Sequence, residues 1–173
     1  MTNRVLIAGA GGQGVMLIGK IIARAALDSW EHITFFPAYG AEVRGGTANC
    51  QVMLSSDDIS SPLAEEFDNV MIMNQLSAER FLPSFSDKGF GVVNSSMCDH
   101  VSDSRLKLVD ATVIANQLGD KRAANFVMLG ALLVGAELVS PEKVETEIVR
   151  NFQSGKRSVA DLNIRAFRRG LKN

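Results

Sequence analysis

Residues 4–27 read RVLIAGAGGQGVMLIGKIIARAAL, and how this stretch divides decides the fold. Val5, Leu6, Ile7 and Ala8 form a short unbroken apolar run, the mark of a strand covered on both faces. From Ile18 onward, Ile21, Ile22, Ala25 and Ala26 recur at helical spacing. The six residues between, GAGGQG from Gly9 to Gly14, therefore occupy a strand-to-helix junction. Gly9, Gly11 and Gly14 fit G-x-G-x-x-G, whose glycines allow a tight turn and let backbone N–H groups approach a phosphate at a helix N-terminus. With Gly12 and Gln13 they are the candidate cofactor-binding residues.

The motif alone does not name a ligand. A dinucleotide site also needs a carboxylate at the end of the second strand, where it binds the ribose hydroxyls. Phe35, Phe36 and Pro37 stand at that place, while Asp28 and Glu31 precede the strand. NAD is therefore disfavoured. A Walker loop fails as well, because no Gly-Lys-Ser/Thr follows the glycines. A phosphate-bearing ligand such as coenzyme A or a nucleotide remains open, and so does a turn whose free N–H groups meet water or a partner's carboxylate.

Downstream, apolar runs alternate with amphipathic stretches and no linker divides them, so residues 1–173 are read as a single domain. A second strand, HITFF, ends at Pro37. Ala48, Cys50, Val52 and Leu54 alternate with Asn49, Gln51, Met53 and Ser55, a period-two strand expected near an edge or antiparallel. Strands are expected at NVMIMN, GVVNS and LKLVDA, with helices over residues 76–85 and 113–118. Such alternation predicts a three-layer α/β/α domain with a mainly parallel, Rossmann-like sheet and helices on both faces. Residues 125–138 are apolar all round, so this helix should lie under others, with Gly130 and Gly135 permitting close approach. Ser140 and Pro141 open the next helix as N-cap and first residue. The last helix, over residues 158–169, should stop at Gly170.

Composition limits the class of function. At 173 residues folding hides roughly 70% of the unfolded chain's surface, enough for a core without staples. A formal net charge of -1 argues against nucleic acid as the main partner. Cys50 and Cys98 are the only cysteines and have no Cys or His at ligand spacing, so a four-thiolate cluster cannot be built within this chain. The N-terminus reads as a strand instead of a signal peptide, and residues 123–136 are too short an uncharged run for a membrane span. A cytoplasmic protein is the expectation.

A second unusual stretch, YGAEVRGG at residues 39–46, combines Tyr39, the Glu42/Arg44 pair and the Gly45-Gly46 hinge. Aromatic and arginine side chains together are enriched at binding hot spots. If the first and second strands run side by side and parallel, this loop lies next to the glycine turn, at one edge of the sheet. The plainer reading is a surface loop tethered by Glu42 and Arg44.

With both loops in view, GAGGQGVMLIGKIIARAAL, PAYGAEVRGGTANCQVMLSSDDISSP, FDNVMIMNQ, GVVNSS and NFVMLGALL follow one another as in the gamma subunit of 2-oxoacid:ferredoxin (acceptor) oxidoreductases. The chain resembles that family end to end. It is most similar to the small stand-alone gamma chains of the 2-oxoglutarate and branched-chain enzymes, and Y-G-x-E-x-R-G-G is the most discriminating segment. The resemblance implies a multisubunit enzyme that decarboxylates a 2-oxoacid on thiamine diphosphate with magnesium. Electrons pass through iron–sulfur clusters to ferredoxin, and an acyl-coenzyme A forms. Thiamine and clusters would lie largely in other subunits, leaving this chain without catalytic or metal-binding residues. Tyr39, Glu42, Arg44, Gly45 and Gly46 would then contact a partner subunit or coenzyme A.

The remaining chemistry-bearing residues have plainer readings. His32 and His100 lie near no nucleophile or paired acid. Arg165, Arg168 and Arg169 fall in the last turns of a helix, where positive charge suits the macrodipole, and Asp161 stands at pairing distance from Arg165. A docking surface for an acidic partner or for coenzyme A phosphates is the alternative. A free-standing nucleotide- or coenzyme A-binding protein, or a structural interaction module, are the competing readings of the whole chain.

Overall fold

Val5, Leu6, Ile7 and Ala8 are fully buried because the first strand lies inside the sheet with both faces covered. The structure, a computed structural model, describes residues 1–38, 47–153 and 157–173. Its strands are β1 (Thr2–Gly9), β2 (His32–Ala38), β3 (Ala48–Ser55), β4 (Phe67–Ile72), β5 (Phe85–Asn94) and β6 (Leu106–Val109). They form one six-stranded sheet in the order β2-β3-β1-β4-β5-β6. β1, β4, β5 and β6 are parallel neighbours, whereas β3 runs antiparallel to both β1 and β2. The expected parallel sheet is therefore present with an antiparallel hairpin added on one side.

That hairpin corrects one expectation: β2 does not lie beside β1. β3 separates them, pairing Gly9 with Ala48 and Ala38 with Asn49. The reason is visible in β3, which is apolar enough to be covered on both faces. Cys50, Val52 and Leu54 join the larger core, and on the other face Met53 and Ser55 are buried too.

Helices α1 (Val15–Ala25), α2 (Gln75–Phe81), α3 (Ala111–Gln117), α4 (Ala124–Gly135), α5 (Pro141–Asn151) and α6 (Arg157–Gly170) cover the sheet unequally. Val5 and Ile7 of β1 point into a core shared with α1, α3, α4, α5 and α6. Leu6 and Ala8 point the other way, into a smaller cluster with Ala78 and Phe81 of α2. Both faces are helix-covered as expected, but the second mostly by α2 and loops. Burial of Val15, Ile18, Ile21 and Ile22 fixes α1 to the sheet, at roughly 1.5–3 kcal/mol per side chain.

Several boundaries move for local reasons. The expected helix over residues 76–85 ends at Phe81, because Pro83 enters a 3-10 turn and Phe85 opens β5 with its ring buried. α4 stops at Gly135, three residues early; Leu138 is buried in the following loop, where its carbonyl accepts the Trp30 indole N–H at 2.7 Å. Ser140 occupies the N-cap of α5, yet its hydroxyl makes no capping bond and the capping acceptor is its backbone carbonyl.

α4 is buried at every position from Ala124 to Leu132, and α6 crosses it backbone to backbone. An added methyl at Gly130 would land on the Phe167 carbonyl, and one at Gly170 on the Val127 carbonyl. Gly170 thus lies within α6 as a packing residue as well as marking its end. Arg165 does not pair with Asp161; it reaches the Leu118 carbonyl at 3.5 Å. Arg168 instead forks onto Glu145 of α5, with both bonds at 2.6 Å.

Candidate functional site

β1 ends at Gly9 and α1 begins at Val15, so the whole GAGGQG segment turns within six residues. Gly12 and Gly14 adopt positive φ, 87° and 73°, a conformation that costs most side chains free energy. Gln13 closes the turn. Its Oε1 accepts the Ala10 N–H at 2.6 Å, its Nε2 lies 3.5 Å from the Met73 carbonyl, and its own N–H donates to the Ala10 carbonyl at 3.2 Å. Gln13 therefore shapes the turn, and no side chain caps the α1 N-terminus behind it. The first-turn N–H groups of α1 are left for a ligand or solvent.

The turn stands at the point where the sheet order reverses. From β1 the chain moves through α1 to the β2–β3 side, then returns to β4 on the opposite side of β1. In open α/β sheets, ligands bind in the crevice at the carboxyl ends of such strands. A cavity of about 270 Å³ occupies that place, bounded by Gly12, Gln13, Met73, Met97, Thr112 and the start of α4.

α4 continues directly from a 3-10 turn, Lys121–Ala123, whose start is capped by Asp120, the carboxylate accepting the Arg122 N–H at 2.9 Å. This turn holds Lys121 and Arg122 at the cavity edge. Arg122 forks onto Asp120 at 2.6 and 2.8 Å, and this contact holds the Asp120 carboxyl below the usual carboxylate range. Asn125 is the second residue of α4, 4% exposed, with its carboxamide against Gly14. Its Oδ1 is buried without a hydrogen-bond partner. Asn3 Nδ2, Thr34 Oγ1 and Ser77 Oγ are buried and unpaired in the same way, each such group costing about 1–3 kcal/mol.

The same edge of the sheet carries well-satisfied polar groups nearby. Asn94, 1% exposed, donates to Thr112 Oγ1 at 2.9 Å, and the Ser95 hydroxyl lies 2.5 Å from Asp110. These contacts hold the start of α3 to the end of β5. The arrangement can bind an anion with an apolar extension: the uncapped α1 end, the Lys121 side chain and thioether walls, with Arg122 already paired to Asp120. The cysteines stand apart from it. Burial pushes the Cys50 thiol up to about 12 and the Cys98 thiol up to about 11, so both remain protonated near neutral pH. His32 lies 3.5 Å from the exposed Asp58, and His100 is exposed, both away from the cavity lining. Among the described residues no group of three or more His, Cys, Asp or Glu could hold a metal ion, so the residues do not fit a resident iron–sulfur cluster.

The family model for pyruvate ferredoxin/flavodoxin oxidoreductase matches residues 4–173. The chain belongs to this family. The ketoisovalerate oxidoreductase subunit VorA of Methanothermobacter thermautotrophicus is 35% identical over 170 residues, covering 98% of this chain and 36% of that protein. The chain thus spans about a third of the length of the curated VorA relatives it matches. Among solved structures, the gamma subunit of a keto/oxoacid ferredoxin oxidoreductase from Geobacter sulfurreducens superposes with a TM-score of 0.82 at 25% identity, covering 98% of this chain and 96% of that one. The 2-oxoglutarate:ferredoxin oxidoreductase of Magnetococcus marinus, solved with 2-oxoglutarate, coenzyme A and succinyl-CoA, shares the fold. Its TM-score is 0.86 at 23% identity, over 99% of this chain and 30% of that chain.

In this member of the pyruvate ferredoxin/flavodoxin oxidoreductase family, Gly9, Gly11, Gly12, Gln13 and Gly14 form the turn between β1 and α1. Tyr39, Glu42, Arg44, Gly45 and Gly46 lie outside the described residues. Their anchors do not: Ala38 ends β2, and Thr47, 3% exposed, accepts a 3.0 Å bond from Arg80 of α2 just before β3. Because Ala48 faces Gly9, both ends of that loop leave the sheet at the edge carrying the glycine turn, through β3 and not through an adjacent β2. The strand beside β1 on that side begins there instead of ending there. The position of a ribose-binding acid in a dinucleotide fold is therefore absent from the topology, whatever residue stands at Phe36. Sequence reasoning missed Asn125, Lys121 and Arg122. A single asparagine opening an otherwise apolar run, just after two basic residues, was the available signal.

Proposed function

We propose that this chain is the gamma subunit of a thiamine diphosphate-dependent 2-oxoacid:ferredoxin oxidoreductase. In the assembled enzyme, partner subunits hold thiamine diphosphate, magnesium and the iron–sulfur clusters and pass electrons to ferredoxin. This chain contributes the binding surface for coenzyme A, which accepts the acyl group. The observation that carries the reading is the uncapped N-terminus of α1 behind the glycine turn, standing beside a cavity at the switch point of the sheet. Membership of the family and a fold matching an isolated gamma subunit over nearly its whole length support it. The acid is of the 2-oxoglutarate or branched-chain type, the branched-chain assignment drawing on the VorA likeness. Among the described residues no helix is long and apolar enough to cross a membrane, in keeping with action in the cytoplasm.

The chain's own residues then bind and orient, and they carry no bond-breaking step. Gln13 holds the turn so that backbone N–H groups face the phosphates, and Lys121 adds a cationic partner. The segment with Tyr39, Glu42, Arg44, Gly45 and Gly46 completes the contact with coenzyme A or a partner subunit. The test is reconstitution. The purified chain with thiamine diphosphate, coenzyme A and a viologen acceptor should oxidise no 2-oxoacid, and addition of the other subunits should restore acyl-coenzyme A formation. Turnover by the chain alone, or full activity of a complex lacking it, overturns the subunit reading. Arg44→Ala separates the two roles of its segment: lost co-purification marks a subunit contact, and intact assembly with a raised KM for coenzyme A marks a cofactor contact.

A further inference from the structure

Helix α2 connects the two unusual loops. It follows Met73 at the carboxyl end of β4, beside the glycine turn. The Met73 N–H donates to the Ala8 carbonyl at 2.8 Å, and the Gln13 Nε2 lies 3.5 Å from the Met73 carbonyl. A methyl added at Gly9 would meet both residues, the Gln13 Oε1 at 2.6 Å and the Met73 Cβ at 2.8 Å. Asn74 then caps the helix, accepting the Ser77 N–H at 3.0 Å, and Ala78, 2% exposed, seats it in one cluster with Leu6 and Ala8 of β1. That seat fixes one face of α2 to the sheet. β1 lies between β4 and β3, so the helix passes over it toward the start of β3.

Arg80, near the far end of α2, completes the crossing. Its Nη1 donates to Thr47 Oγ1 at 3.0 Å, and its guanidinium carbon stands 5.2 Å from the centroid of the Phe81 ring, which steadies the group. Thr47 is buried, and Ala48 beyond it pairs with Gly9 at the end of β1. A hydrogen bond from a charged donor is stronger than one between neutral groups. Thr47 is thus held from two sides, by the strand it enters and by α2. Arg80 is exposed, so its place on the helix contributes little to core packing. What the contact does fix is the position of Thr47 relative to the glycine turn, since Met73 and Arg80 stand on one short, seated element.

We infer that Arg80 is a positioning residue for the segment of residues 39–46. It fixes Thr47, the residue that follows the segment, and so sets the end of the segment in register with the glycine turn. The inference rests on the contact role proposed above for Tyr39, Glu42, Arg44, Gly45 and Gly46, and adds the group that holds their segment in place. Arg80 acts through Thr47, and no covalent step is involved.

A double-mutant cycle with Arg44, measured on the full chain assembled with its partner subunits, tests this. Arg44→Ala moves one of two observables, the KM for coenzyme A or the strength of co-purification. Arg80→Gln should move the same one, by about three- to ten-fold. Its Tm should stay within about 2 °C of the parent, because Arg80 is exposed. In the Arg44→Ala background, Arg80→Gln should add less than about two-fold, since a segment already deprived of its contact gains little from being held. Arg80→Lys keeps a donor for Thr47 Oγ1 and should retain most of the parent's behaviour. Thr47→Val removes the acceptor and should reproduce Arg80→Gln. Two results overturn the positioning role while leaving the reading of the segment intact: an Arg80→Gln enzyme unchanged in that observable, whatever its Tm, or effects of Arg44→Ala and Arg80→Gln that simply add. Should Arg44→Ala itself move neither observable, the reading of the segment fails and this inference falls with it.

Discussion

Methyl groups added at Gly130 or Gly170 would land on backbone carbonyls of the facing helix, whereas methyl groups added at Gly11 or Gly12 would meet nothing within 4 Å. The two sets of glycines therefore answer to different constraints. At the α4–α6 crossing the missing side chain lets two helix backbones touch, and the benefit is to the fold. At the turn after β1 there is room for a side chain, so packing does not explain the glycine; positive φ does at Gly12, while Gly11 has neither constraint within the chain. A glycine-rich motif does not reveal by itself which constraint produced it. The neighbours of a hypothetical Cβ do.

The largest expected effect of breaking this contrast lies at the crossing. Gly130→Ala forces α6 away from α4, and neither backbone can rotate out of the way as a side chain would. Overpacking costs about 1–3 kcal/mol, and a backbone collision belongs at the upper end. For a chain of this size that is a fall in Tm of roughly 6–12 °C. Calorimetric melting of the variant measures it, and a fall under about 2 °C would mean the helices do not meet at Gly130.

Gly14→Ala comes next and stands between the two classes. Its φ of 73° disfavours alanine, and its added methyl would press on the Asn125 carboxamide. A cost of about 1–2 kcal/mol is expected, chiefly from the backbone conformation. Unlike Gly130→Ala, it should also weaken coenzyme A, because the backbone change falls in the turn that faces the phosphates. Stability and affinity measured on the same preparation sharpen the comparison, and a variant that loses stability alone would place Gly14 with the packing glycines.

The alternation of strands and helices was legible because it rests on burial, which periodicity reports directly. Val5 to Ala8 read as a two-face-buried strand, and residues 125–138 read as a helix under others, since each side chain there states its surroundings. The antiparallel direction of β3 was legible in its period-two pattern, whereas its place between β1 and β2 was not, because the pattern of a strand does not name its neighbours. The site divided in the same way. Gly9 to Gly14 declared themselves by backbone requirement, while Asn125 needed its three-dimensional neighbours, because a lone asparagine in an apolar run is informative only once its carboxamide proves to lie against the glycine turn.

A smaller effect separates the crossing from the turn by pH. α6 is also tied to α5 by Arg168 and Glu145, and the guanidinium holds the Glu145 carboxyl below its ordinary value near 4.5. A depressed folded-state pKa stabilises at pH above the unfolded value and ceases to do so as pH falls through the folded value. Tm should therefore decline slightly as the pH drops from about 5 to below 4, and Arg168→Gln should remove that part of the decline. Both residues are partly solvated, so the change should be smaller than that of Gly14→Ala. An unaltered pH profile in Arg168→Gln would show that the pair contributes nothing to the seam.

The smallest expected change in stability is at Gly11, and it is the most telling for function. Its φ is not positive and its hypothetical Cβ meets no atom within 4 Å, so alanine fits without strain. Gly11→Ala should shift stability by less than about 0.5 kcal/mol, the range of surface substitutions away from special features. If the turn presents its N–H groups to a diphosphate, the same methyl stands in the path of that approach, and coenzyme A affinity should fall about ten-fold. Loss of affinity with an unchanged Tm can come only from space that the chain itself leaves open and a ligand fills. Should Gly11→Ala keep both its Tm and its affinity, the turn is not crossed by coenzyme A, and the glycines of the turn serve the conformation of Gly12 and Gly14 alone.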